Sequence, residues 1–151
     1  MSTTVSEMDS TPQAIWALLA DAHTFGAWVI GSKEIRDSDA HWPEPGATFH
    51  HTQGTLFVTL KDTTTVVKVE PERRLVLEVR ARPWVVNIVE LVLEPVGEGR
   101  TRVSMHEHPR EGLVHRLWNP LLDGLLHARN VECLRRLGRL ARERAEPNTA
   151  A

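Results

Sequence analysis

Two hydrophobic periods divide this chain, and the change between them sets its architecture. From Thr48 to His108 apolar residues recur at every second position, the period of a strand with one buried face. From Asn119 to Arg144 they recur at every third or fourth position, as Leu121, Leu122, Leu125, Leu126, Cys133, Leu134, Leu137, Leu140 and Ala141. That is one face of a long helix. Such a helix cannot hold its leucines in water, so it must lie across the sheet. A curved sheet gripping one helix leaves a hollow between them, and function is expected there.

The sequence of 151 residues predicts a single domain, with a core over 2–143 and a flexible tail over 146–151. A formal net charge of −2 with no dominant basic stripe argues against a nucleic-acid partner. The arginines from Arg129 to Arg144 read as the solvated face and last turns of the helix, where they suit its negative end. The lone cysteine excludes an internal disulfide and fits a reducing compartment. No apolar run approaches the ~18 residues of a membrane span, and Met1 to Ser10 lacks the pattern of a signal peptide. A cytoplasmic location is therefore expected. Arg outnumbers Lys fifteen to three, a coding bias that hints at a bacterial source.

Along the chain, residues 2–9 read as a first strand with Val5 pointing inward. Ser10 and Thr11 are candidate caps, and Pro12 opens a short helix carrying Ile15, Trp16, Leu18 and Leu19. A second short helix is expected over 21–29, and a strand over 33–37. The two prolines and glycine of 39–46 make a loop. Strands are predicted over 47–53, 55–69, 74–82, 85–94 and 101–108, with turns at 70–73 and 96–100. Residues 109–117 then connect to the long helix. Short connections make the sheet an antiparallel meander with helices on one face, an α+β arrangement.

This order, together with several local strings, resembles the START-like superfamily with the helix-grip fold, and within it the polyketide cyclase/dehydrase-type proteins. The strings are Trp28-Val29 with Gly31, Trp42-Pro43 with Pro45-Gly46, and Val69-Glu70-Pro71 with Arg73-Arg74-Leu75. Further along come Thr101-Arg102-Val103, Asn119-Pro120-Leu121-Leu122 and Arg129-Asn130. The resemblance implies a curved antiparallel sheet of about six or seven strands wrapped on the C-terminal helix, with two short helices after the first strand. It also implies a pocket for an apolar or amphipathic small molecule between sheet and helix. It does not imply catalysis, because the superfamily mixes carriers, sensors, co-regulators and enzymes.

Parity selects the candidate site. Glu107 shares a face with Val103 and Met105, Asn87 with Val89 and Leu91, and His51 with Phe49, while Asn130 interrupts the helical seam beside Leu126, Cys133 and Leu137. A few convergent polar groups on apolar walls are what a small-molecule site needs. The expected lining is completed by Leu77 and Val79 on their strand and by Trp28, Trp118 and Leu122 near the mouth. Burial would raise the pKa of Glu107 unless a cation such as Arg129 pairs with it. Each polar group also has a plain structural reading: a strand-end carboxylate, a bulge marker, a satisfied core amide or a solvated histidine. At Asp62 the alternation is ambiguous. Val58, Leu60 and Val66 put it inward, Phe57, Val67 and Val69 argue the opposite, and a bulge would reconcile them.

Other chemistries find little support. His106 and His108 share a face but His50 and His51 do not, so no metal site is expected. No cofactor motif, nucleophile elbow or phosphate loop is present. The absence of tyrosine excludes a phenolic acid. Cys133 reads as an inert core thiol. Trp16 reads as packing, whereas Trp42 and Trp84 stand with Trp28 and Trp118 near element ends, where a cavity mouth would be. The leading expectation is a binder of a hydrophobic or aromatic small molecule, lipid or polyketide-like. The alternatives are a cyclase/dehydratase-type enzyme with Glu107 or His51 as acid/base, and a co-regulator module that docks another protein.

Overall fold

The structure, a computed structural model, describes residues 2–55, 58–81, 85–112 and 120–145. Seven strands form one antiparallel sheet: β1 (Ser2–Met8), β2 (Ser32–Ser38), β3 (Thr48–Thr55), β4 (Val58–Glu70), β5 (Arg74–Ala81), β6 (Val85–Gly97) and β7 (Arg100–Gly112). Their order across the sheet is β1-β7-β6-β5-β4-β3-β2. Two short helices, α1 (Pro12–Leu19) and α2 (Phe25–Trp28), follow β1, and the long helix α3 (Pro120–Ala145) ends the fold. This is the α+β helix-grip arrangement. No helix among the described residues is long and apolar enough to cross a membrane.

The local chemistry explains the short helices. Pro12 occupies the first turn of α1, and the Thr11 hydroxyl accepts the Ala14 amide at 3.2 Å. Of the two candidate caps, Thr11 serves; the Ser10 hydroxyl instead donates to the Asp9 carbonyl at 2.8 Å. The segment expected as one helix over 21–29 is split. A 3-10 turn, Ala22–Thr24, is capped by Asp21, which accepts the His23 amide at 3.0 Å, and α2 follows it. The Thr24 hydroxyl donates to the Leu18 carbonyl at 2.6 Å, which fixes the corner between the two pieces.

Register decides which side chains face α3. Opposite pairs run across the sheet in rows, because strands in an antiparallel ladder keep directly opposed residues on one face. One row joins Val69, Leu75, Leu91, Met105 and Thr4; the next joins Val66, Leu77, Val89 and Glu107. A third joins Phe49, Thr64, Val79 and Asn87, and a fourth pairs His51 with Asp62. The first row is apolar over most of its length, and polar groups enter as the rows approach β3 and the far end of β7. The buried core combines these apolar rows with Leu134, Leu137 and Ala141 of α3 and with Ile15, Leu18 and Leu19 of α1.

Several expectations are corrected. Val5 points outward and is 54% exposed, because the pairing of Thr4 with Met105 puts the even residues of β1 inside. Met8 closes that end of the core, its side chain 3.1 Å from where a β-carbon on Gly138 would stand. Leu125 of α3 is 68% exposed. The seam of the helix is centred on Asn130, Cys133, Leu134, Leu137 and Ala141, all buried, and Leu125 falls beyond its edge. Strand β7 runs on through Pro109 to Gly112, where a connector over 109–117 was expected. A bulge makes this possible: Asn87 opposes Pro109, Val86 opposes Glu111, and Arg110 is left over. β6 likewise extends to Gly97, and Gly99, at φ 64°, turns the hairpin.

Candidate functional site

A cavity of about 330 Å³ lies between the sheet and the first half of α3. Thirteen of the residues expected there line it: Trp28, Phe49, His51, Leu77, Val79, Asn87, Val89, Leu91, Met105, Glu107, Leu126, Asn130 and Cys133. Trp118 lies outside the described residues, and so does the side chain of Leu122. The structure adds Phe25, Val29, Ser32, Thr64 and Arg129 to the wall. Thr64 follows from the same parity as Asp62, once that parity is known. Phe25, Val29 and Ser32 belong to the short α2 and the residues after it, where no period reveals which side faces in.

The polar groups divide into two clusters. At the α3 side, the Asn130 amide donates to Glu107 Oε2 at 2.7 Å, and both residues are buried. Arg129 Nη1 stands 3.7 Å from Glu107 Oε1, while its Nε donates to the Ile30 carbonyl at 3.3 Å. The carboxylate therefore has both a fixed donor and a neighbouring cation. Asn130 sits on the apolar seam, and its amide oxygen accepts from Arg129 Nη1 at 3.4 Å, so both ends of the amide are held by this cluster. Beside it, the Cys133 thiol is pushed up from its usual pKa by burial, and the Ile30 amide donating to its sulfur at 3.3 Å only partly offsets this. It is a protonated wall residue rather than a nucleophile.

The second cluster lies on β3 and β4. His51 faces the cavity and is 2% exposed; its ring contacts Phe49 at a centroid distance of 5.2 Å. Directly across the ladder is Asp62, which is fully buried and stands behind the cavity lining. Its orientation is settled by a bulge: Val66 opposes Leu77 and Lys68 opposes Val76, so Val67 is extra and bulges out, 51% exposed. Upstream of it Asp62, Thr64 and Val66 face in; downstream Val69 does. Burial raises the pKa of Asp62. Both its carboxylate oxygens lack a hydrogen-bond partner among the described residues, as do buried atoms of three lining residues, Trp28 Nε1, Ser32 Oγ and Asn87 Oδ1.

Among the tryptophans expected at the mouth, Trp28 lines the cavity but Trp42 does not. Trp42 closes an aromatic cluster, 5.6 Å from Phe25 and 4.8 Å from Phe49 between ring centroids, and its indole N–H donates to the Leu19 carbonyl at 3.1 Å. Trp16 packs against the core, and Trp84 lies outside the described residues. His106 pairs with Thr3 at 3.1 Å on the exposed side of the sheet. Among the described residues no three His, Cys, Asp or Glu side chains converge on a point where they could hold a metal ion.

A family model described as Activator of Hsp90 ATPase homolog 1-like protein matches residues 9–125. No curated protein sequence matches the chain. Solved structures do. The Zhui aromatase/cyclase from Streptomyces sp. R1128 is similar with a TM-score of 0.73 at 12% identity, over 99% of this chain and 98% of that one. A protein from Nitrosomonas europaea is similar with a TM-score of 0.71 at 16% identity, over 95% and 94%. The di-domain ARO/CYC protein StfQ of the steffimycin biosynthetic pathway gives a TM-score of 0.69 at 14% identity, over 95% of this chain and 51% of that one.

Proposed function

Since the chain belongs to the Activator of Hsp90 ATPase homolog 1-like family and folds around a hollow, we propose that it binds a hydrophobic or aromatic small molecule, lipid or polyketide-like, between the sheet and α3. The observation that carries this reading is the cavity of about 330 Å³, whose walls are mostly apolar and whose few polar groups converge. That is the lower part of the size range of small-molecule sites, ~300–1,000 Å³. Apolar walls supply affinity, and Glu107 with Asn130 supplies orientation by accepting from, or donating to, a hydroxyl or carbonyl of the ligand. Native mass spectrometry of the protein as purified, followed by titration with a fatty acid and a polycyclic phenol under tryptophan fluorescence, tests it. A retained apolar compound, or saturable quenching that weakens in Trp28→Phe, is the expected result. Neither a mass adduct nor saturable quenching by either probe would overturn it.

A second reading, a cyclase/dehydratase-type enzyme, is favoured by the names of two structural neighbours, an aromatase/cyclase and an ARO/CYC protein. In it Glu107 or His51 serves as the acid/base, since both face the cavity. Proton abstraction next to a carbonyl needs the base within about 3 Å of that proton. Turnover of a linear polyketone that Glu107→Gln or His51→Asn abolishes, with binding retained, selects the enzyme over the carrier.

A further inference from the structure

We propose that Trp28 and Ser32 form a donor subsite in the cavity wall that holds a carbonyl oxygen of the ligand, as in a ketone or an ester. Its role rests on the reading of the cavity as the binding site. Trp28 is 2% exposed and Ser32 8%, and both side chains line the cavity. Trp28 Nε1 and Ser32 Oγ are buried and have no hydrogen-bond partner among the described residues. Folded proteins rarely leave such groups unpaired, because each one costs its full desolvation. An indole N–H only donates, so no turn of the ring makes it anything but a site for an acceptor. A hydroxyl donates as readily as it accepts, and Ser32 supplies a second donor on the same wall.

The backbone explains why the two stand together. Helix α2 ends at Trp28, and the Val29 amide bonds to the Phe25 carbonyl at 2.9 Å. The chain then reverses. The Ser32 amide donates to the Val29 carbonyl at 3.2 Å, closing a turn whose third residue, Gly31, has φ 92°. Glycine suits that position in a type II turn. Helix α3 grips the turn from the other side: Arg129 Nε donates to the Ile30 carbonyl and the Ile30 amide donates to Cys133 Sγ, both at 3.3 Å. The two helix residues are one turn apart on one face, so the Ile30 peptide is held at both ends. The Trp28 ring is packed against Phe25, 4.9 Å between centroids. The donors are therefore set before a ligand arrives, and little ordering is left to oppose binding.

The rest of the wall does not duplicate this polarity. Glu107 and Asn130 bond to each other, and Arg129 is engaged with Ile30 and Asn130. Asn87 on β6 also has an unpaired buried atom, Oδ1, but an amide carries both a donor and an acceptor and sets no single polarity. Trp28 and Ser32 are both uncharged, which suits a neutral carbonyl.

The test compares a naphthyl methyl ketone with the matching naphthyl alkene, in which a methylene replaces the oxygen, by titration calorimetry. The ratio of the two affinities is measured in the wild type, in Trp28→Phe and in Ser32→Ala, so that the difference in hydrophobicity cancels between proteins. Each variant should lower the ratio of ketone to alkene affinity by about three- to tenfold. In the wild type, the Trp28 indole N–H resonance should move downfield with the ketone and not with the alkene, a readout that does not depend on any variant folding. An unchanged ratio in a folded variant, or an indole resonance that answers alike to both compounds, overturns the subsite and leaves the cavity as the binding site. Uptake of a fatty acid or a polycyclic phenol without uptake of the ketone does the same. A protein that takes up none of these compounds overturns both the subsite and the proposed function.

Discussion

At the scale of single residues the buried polar groups are the sensitive points. Asp62 is more easily protonated folded than unfolded, because burial raises its pKa from 3.8. Its contribution to stability is full below the unfolded value and is lost as pH rises through the folded one. Asp62→Asn removes that loss. The variant should melt above the wild type at pH 7.5, by an increment of about 1–3 kcal/mol, and the gap should narrow toward pH 4; thermal melts at several pH values check this. Asn130→Ala acts in the opposite sense. It strips Glu107 of the donor at 2.7 Å and leaves a buried carboxyl oxygen without that bond, a cost of about 1–3 kcal/mol, which urea unfolding measures. Glu107, Asn87, His51 and Asn130 were legible in the sequence because each is a polar residue on an otherwise apolar face. Arg129 was legible only as a conditional partner for Glu107, since a helix position at the edge of the seam does not reveal which way a long side chain bends. Ser32 left no signal at all.

At the scale of elements, α3 divides by what lies beneath it. Leu137 is fully buried over the apolar rows, whereas Leu126 is half-buried and lines the cavity. Leu137→Ala should cost about 2–5 kcal/mol, a value typical of a void opened in a packed core. Leu126→Ala enlarges a space that already exists and should cost about 1 kcal/mol or less, while weakening retention of an apolar ligand. Chemical denaturation of both variants beside a binding titration separates the two halves of the helix. The helix itself was readable from periodicity, within one residue at each end. The strands were readable in order and type but not in extent: β6 and β7 each run several residues past the expected end. Pro109 argues for a connector, yet the bulge opposite Asn87 absorbs it, and no local rule on sequence alone announces a bulge. The same holds for Val5, whose face is set by register with β7 and not by its own propensity.

At the scale of the whole molecule, stability and binding are held by different parts of one sheet. Apolar rows under the second half of α3 close the core, and the polar rows under the first half are left open. Filling the hollow tests this division. Val79→Trp places a large ring on the cavity floor beside Asn87 and Thr64, its cross-strand partners. The variant should fold with a melting temperature at or above that of the wild type, and should neither retain a compound on purification nor quench with either probe. A variant that fills the space and still binds would move the site elsewhere on the surface. The division was visible beforehand only as a prediction that sheet and helix leave space between them; the volume depends on how far the rows of β3 and β4 stand from α3, which is a property of curvature and bulges.

The extra residue in β4 has a consequence for how such a chain can change. Because Val67 takes up the change of parity, the stretch from Asp62 to Val66 and the stretch around Val69 answer to separate demands. New chemistry can be written into the first by substitution at alternate positions while the second stays untouched. A single deletion at that position would invert one segment against the other, so the tolerance of this strand to replacement and its intolerance of shortening have the same origin.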